Sequence, residues 1–230
     1  MIQENLDRVN QQIKEACDRC GRKFEEITLV NVSKTKPIEL LAEGYEAGMR
    51  LFGENKVQEI RDKYVLFNKD GVRWHMIGHL QRNKVKYIID KVELIHSVDS
   101  LRLAETINNE AHKHGLKVSI LIQVNMAEEA TKFGLSHEET LTLVKEVSQL
   151  PHIQIQGLMT IAPFVDDQEE NRGIFKAMKE LFIDIKEQNI DNVSMNVLSM
   201  GMSNDYQVAI EEGATMIRIG TALFGERHYH

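Results

Sequence analysis

Three segments of this chain carry residues whose types and spacing could do chemistry. The first is Ser33-Lys34-Thr35-Lys36-Pro37, directly after the β-branched run Ile27-Thr28-Leu29-Val30-Asn31-Val32. Lys34 shares the parity of Val30 and Val32, so on a strand it points to their side. Partial burial or a nearby cation keeps a lysine amine free of charge, and the free amine condenses with carbonyl compounds. The second and third segments are Ser199-Met200-Gly201-Met202-Ser203 and Arg218-Ile219-Gly220-Thr221. In each, a glycine allows close backbone approach, and hydroxyl or backbone N–H groups stand ready for an anion. A reactive lysine facing a phosphate site suits the aldehyde of pyridoxal phosphate (PLP). The plainer alternatives are a solvated lysine at a strand end and two ordinary tight turns.

Other candidates are weaker. Arg218 alternates with Met216 and Gly220, so it should point inward. There it either pairs with a core carboxylate or sits beside a pyridine nitrogen, which it would keep unprotonated. Gly53-Glu54-Asn55 offers Asn55 to a ligand hydroxyl and Glu54 to orient a neighbour, or simple turn chemistry. Lys36, beside Pro37, reads as a loop charge, and Arg82, Lys84 and Lys86 as a solvated helix face. His75 and His79 are spaced for one face of a helix but fall on a strand and its turn, so no metal site is expected. Ile2, Leu6, Val9, Ile13, Ala16 and Cys20 recur at helical spacing, so Cys17 and Cys20 lie inside or at the end of a helix, which favours packing over thiol chemistry.

The elements that must position these residues alternate. Strand-like runs fall at 27–32, 51–53, 74–77, 94–98, 118–124, 153–159, 195–198 and 216–219. Helical stripes lie between them, such as Leu101, Ala104, Ile107 and Ala111, or Val57, Ile60 and Tyr64. A helix is also expected over Val85, Ile88 and Ile89, and a short one from Asp205 to Glu212. Ser136 and Glu139 fit a capping box. Eight such pairs predict a parallel (β/α)8 TIM barrel with an extra N-terminal helix, whose chemistry collects at the C-terminal ends of the strands. An open doubly wound sheet is the competitor, but no G-x-G-x-x-G follows the first strand.

With 230 residues, 42% of them hydrophobic, and no linker-like stretch, 1–230 reads as one domain. A net charge of −7 argues against a nucleic-acid surface. No apolar run is long enough to cross a membrane, and the N-terminus does not resemble a signal peptide. A cytoplasmic location is expected, so Asn192-Val193-Ser194 would go unglycosylated. No long apolar stripe is left over, which suggests a monomer.

Six motifs, in order, carry a resemblance over nearly the whole chain. They are Val32-Ser33-Lys34-Thr35-Lys36-Pro37, Phe52-Gly53-Glu54-Asn55, His75-Met76-Ile77-Gly78-His79-Leu80-Gln81, Gly157-Leu158-Met159-Thr160, Leu198-Ser199-Met200-Gly201-Met202-Ser203 and Arg218-Ile219-Gly220-Thr221. Together they resemble the PLP homeostasis proteins, small barrels related to the N-terminal domain of alanine racemase (PLP fold type III). The resemblance implies that Lys34 is the Schiff-base lysine. Ser199, Gly201, Met202, Gly220 and Thr221 would hold the phosphate, Arg218 would lie near the pyridine nitrogen, and Asn55 near the ring hydroxyl. It also implies PLP storage or delivery in vitamin B6 and amino-acid balance, with PLP-dependent apoenzymes as candidate recipients, without established turnover. Lys132, in Thr131-Lys132-Phe133-Gly134, is a further candidate for a part in transfer.

Two enzyme readings compete. An amino-acid racemase needs a second acid/base group, which in alanine racemase comes from an extra β domain and the partner subunit. The stretch after the eighth strand is expected to be too short for such a domain. No tyrosine lies in the strand-end motifs, and Tyr206, the nearest, should belong to a helix. A Schiff-base aldolase acting on sugar phosphates would also use a barrel lysine and a phosphate site.

Overall fold

The computed structural model describes residues 1–126 and 134–225. Lys132 lies outside them. Eight strands follow one another around a closed barrel: β1 (Thr28–Val32), β2 (Leu51–Glu54), β3 (Arg73–Met76), β4 (Leu94–Val98), β5 (Val118–Val124), β6 (Ile153–Thr160), β7 (Val193–Ser199) and β8 (Met216–Ile219). All neighbours are parallel. Closure comes from β1 pairing with β8, from Thr28↔Met216 to Asn31↔Ile219. The expected eight-stranded barrel is therefore present.

Strand parity divides the core in two. Val30, Val32, Leu51, Ile77, Leu94, Leu121, Met159 and Met216 form one apolar cluster inside the barrel. Residues of the opposite parity, such as Phe52, Trp74, Ile95 and Ile120, pack against the surrounding helices in a larger cluster. Gly53 keeps the interior from overfilling, since a Cβ there would come within 2.7 Å of Val30 Cγ1. Gly157 sits where β6 shifts register against both neighbours. Its φ is 154°, and a Cβ would fall 1.7 Å from the Val197 carbonyl oxygen, so only glycine fits this bulge.

The outer helices are α1 (Ile2–Cys20), α2 (Ile38–Glu46), α3 (Val57–Leu66), α4 (Leu101–Lys113), α5 (His137–Val147), α6 (Arg172–Glu187), α7 (Tyr206–Glu211) and α8 (Thr221–Phe224). The capping box opens α5, with Glu139 N donating to Ser136 Oγ and Ser136 N to Glu139 Oε2. The N-terminal helix α1 packs on α7 and α8. Asn5 Nδ2 donates to Leu223 O (2.9 Å), and the Tyr206 hydroxyl reaches Gln12 Oε1. Cys17 takes the buried position of the α1 stripe, while Cys20 is half-buried and donates to Ala16 O.

Two local expectations need correction. The segment around Val85 is a 3-10 helix, Arg82–Tyr87, rather than an α-helix. Val85 and Ile88 lie three apart, which matches the 3-10 repeat and buries both. On α3, Tyr64 is 39% exposed and Lys63 occupies the buried face beside Ile60. Spacing alone favoured the aromatic. Buried carboxylate and carbonyl partners for the lysine decide the other way.

Candidate functional site

A cavity of about 430 Å³ opens where the strands end. Lys34 lies just past β1, Asn55 past β2, Met202 past β7, and Gly220 and Thr221 past β8, and all of them line it. So does Arg218, from within β8. Ile77, Ile161, Pro163 and Phe164 supply apolar wall. Three basic side chains, Lys34, Lys36 and Arg218, line this space with one carboxylate, Asp205. That carboxylate is already engaged: Asn171 Nδ2 donates to Oδ2 (2.8 Å) and Met202 N to Oδ1 (2.7 Å). The lining therefore favours an anion, and the volume suits a small organic ligand.

Ser199 and Gly201 do not line the cavity. The Ser199 side chain is fully buried, and its oxygen accepts from Arg218 Nη1 at 2.6 Å. Gly201 is a packing glycine with φ 94°, where a Cβ would meet Ala209 Cβ at 2.6 Å. Its carbonyl accepts from Arg218 N. Both residues sit behind Arg218, and Ser203, which the motif also contains, lines the cavity. Gly220 N donates to Ser203 Oγ, joining the two loops.

Arg218 is 3% exposed. Its second arm, Nη2, donates to Thr160 O at 2.8 Å. Among the described residues no carboxylate pairs with it directly, which removes the core ion-pair alternative. Burial draws the guanidinium down to about 10, against the pull of Asp205, so it stays charged at neutral pH.

Behind Ser199 runs a chain of buried polar groups that the linear sequence does not announce. Ser199 Oγ is 3.0 Å from His96 Nδ1, and His96 Nε2 is 3.0 Å from His75 Nδ1. The donors can be assigned in order. Arginine only donates. Ser199 therefore accepts from Arg218, and since His96 Nδ1 is its one other partner among the described residues, its buried hydrogen is satisfied by donating there. His96 then carries its proton on Nε2 and donates to His75. Burial holds both imidazoles neutral, His75 at about 3 and His96 well below the usual histidine range. Equal parity of His75, His96, Ser199 and Arg218 on inward strand positions was the available signal.

The turn that carries Lys34 is also tied down from behind. Lys63 Nζ donates to Ser33 O and to Glu54 Oε1, both at 2.7 Å. Ser33 Oγ donates to the same Glu54 oxygen at 2.6 Å. Burial raises the Glu54 carboxyl to about 7 despite the attraction of Lys63. Glu54 thus orients its neighbours and does not reach the cavity lining. Lys36 is not a solvated loop charge: Nζ donates to Phe224 O (3.2 Å) and Gly225 O (2.9 Å) after β8. Asn55 is held by Gly78, where a Cβ would fall 2.3 Å from the Asn55 carbonyl oxygen. His75 is part of the buried chain and His79 lines a separate, smaller pocket. No cluster of three or more metal-ligating side chains occurs among the described residues.

A sequence profile described as the alanine racemase N-terminal domain matches residues 5–228. A pyridoxal phosphate homeostasis protein of Aquifex aeolicus is 44% identical over 226 residues, 98% of either chain. The chain belongs to the pyridoxal phosphate homeostasis protein family. The Haemophilus influenzae member is 40% identical over 99% of this chain and 97% of its own. PipY of Synechococcus elongatus, solved with PLP bound, superposes with a TM-score of 0.86 at 34% identity, covering 98% of this chain and 100% of PipY. Clostridium difficile alanine racemase shares the fold alone: its TM-score is 0.76 at 18% identity, over 99% of this chain and 57% of the enzyme. Among the described residues no helix is long and apolar enough to cross a membrane.

Proposed function

We propose that this chain holds PLP as a Schiff base on Lys34 and stores or delivers it in vitamin B6 and amino-acid homeostasis, without turnover of its own. The observation that carries the reading is the lysine amine in a basic cavity with the β7 and β8 loops on its lining. The PLP-bound state of PipY and the names of the relatives support it. Bound PLP would supply an aldehyde and an electron-accepting ring. Lys34 Nζ attacks the aldehyde carbon, a C=N bond forms and water leaves. Met202, Ser203, Gly220 and Thr221 surround the phosphate, and Asn55 meets the ring hydroxyl. Arg218 presents an N–H to the pyridine nitrogen and, staying charged, leaves that nitrogen unprotonated. Ser199 and Gly201 act on the cofactor through Arg218.

A resting carrier needs no second acid/base group. Tyr206, the tyrosine nearest the β7 motif, points its hydroxyl at Gln12 of α1. The same proposal has the chain working in the cytoplasm as a monomer, with PLP-dependent apoenzymes as recipients.

The test is an absorbance spectrum with added PLP. Wild type should show an imine band that borohydride removes by fixing PLP to Lys34, and Lys34→Ala should show neither. A colourless wild-type protein after incubation with PLP would refute the reading.

A further inference from the structure

Lysine is among the residues least often buried, yet Lys63 on α3 is 7% exposed. All three of its ammonium protons have partners: Ser33 O, Glu54 Oε1 and, at 3.0 Å, Glu59 Oε2. Ser33 is the residue before Lys34. Glu59 Oε2 also accepts from Thr35 N at 2.7 Å, and Thr35 is the residue after it. Both peptide neighbours of Lys34 therefore hang on one ammonium, directly on one side and through a carboxylate on the other.

The backbone needs that hold. Thr35 has φ 61°, the left-handed region that a β-branched residue avoids. Such a conformation persists only when surrounding contacts impose it. The turn it makes is closed by Lys36 N donating to Ser33 O. A lysine side chain is long and flexible, so the direction in which its Cα–Cβ bond leaves the backbone decides where the amine spends its time. Lys63 itself does not line the cavity.

We infer that Lys63, with Glu59 as its relay, is the positioning residue that aims Lys34 into the cavity. The inference rests on the proposed role of Lys34 and adds the device that makes the amine available there. Small misplacements of a reacting group are costly in rate. Losing the clamp should therefore slow condensation with PLP while leaving the barrel closed.

The experiment uses the full chain without PLP, as wild type, Lys63→Met, Lys63→Arg, Glu59→Ala and Glu59→Gln. Glu59 is partly exposed, so its variants keep the test alive if Lys63→Met fails to fold. Two rates are measured: growth of the imine band at fixed PLP, and reductive methylation of Lys34 by formaldehyde and borohydride, read by peptide mass spectrometry against the other lysines. In Glu59→Ala and Lys63→Met, band growth should slow about tenfold. Methylation of Lys34 should rise severalfold as it swings to solvent, with the other lysines unchanged. Glu59→Gln and Lys63→Arg, which keep an acceptor or a donor in place, should recover part of both. General loosening of the fold would raise all lysines together and count against the inference. Wild-type values for both rates in Glu59→Ala and in folded Lys63→Met would overturn it. If wild type forms no imine band, the cofactor reading fails, and methylation of Lys34 still decides whether the clamp aims it.

Discussion

The buried histidine chain should make the fold acid-labile in a way one substitution can isolate. In the folded protein His75 is held at about 3 and His96 well below its usual range, whereas in an unfolded chain each titrates near 6.5. Between those values the unfolded state binds more protons than the folded one. Stability is then fully present above about pH 6.5 and lost as pH falls toward the folded values. Each histidine contributes about 1.4 kcal/mol per pH unit inside that window. Going from pH 7.5 to 5.5 crosses roughly one unit of it, so the pair costs on the order of a few kcal/mol. Glu54 works in the opposite sense. Its folded value is raised to about 7, so its contribution is present at low pH and fades as pH rises through 7. The net change for wild type is therefore small, and the informative quantity is a difference between variants. His96→Gln keeps an acceptor toward Ser199 and a donor toward His75 but cannot take up a proton. Urea titrations of PLP-free protein, followed by circular dichroism at both pH values, should show on the order of 1 kcal/mol less acid loss in the variant than in wild type. Equal acid loss in the two proteins would refute the assignment of His96 as a neutral imidazole in the folded state.

Ser199→Ala should cost about 1–3 kcal/mol, because it strands an Arg218 N–H and His96 Nδ1 in the interior, and it should weaken PLP binding through Arg218. Ser203→Ala should change the urea midpoint little and still weaken PLP binding; equal effects on stability from the two serines would contradict the geometry. Gly78→Ala should destabilise the fold by about 1–3 kcal/mol through overpacking, read as a lower thermal midpoint, and reduce PLP affinity by moving Asn55, both measurable on one preparation.

The barrel was legible because its periods are local. Strand runs, helical stripes and the capping box at Ser136 each span a few residues, and strand parity alone puts Lys34 and Arg218 on the inner side. What parity could not supply was competition for the same atom. The Ser199 hydroxyl is engaged by Arg218 and His96, which lie 19 and 103 positions away. Nothing in the sequence singles out Lys63, on which Ser33, Glu54 and Glu59, which lie 30, 9 and 4 positions away, converge. Lys36 likewise finds its acceptors at the far end of the chain. Partnerships of that range leave no local pattern, and burial of a charged group is decided by them rather than by its own type.

The seam between β1 and β8 has a consequence for how the protein comes into being. The pairing Thr28↔Met216 joins positions 188 apart, and α1 leans on the last two helices across the same gap. Lys34 emerges from the ribosome before β2 to β8, whereas the loops that share its cavity follow only after β7 and β8. A nascent chain lacking β8 can fold helices and pair neighbouring strands, but it has no anion-lined wall opposite the lysine. A ligand that touches both sides of the seam favours the completed ring over every partial one, by mass action. Whatever the cavity holds is thus gripped from both sides only once β1 has met β8, a pairing between strands far apart in the chain.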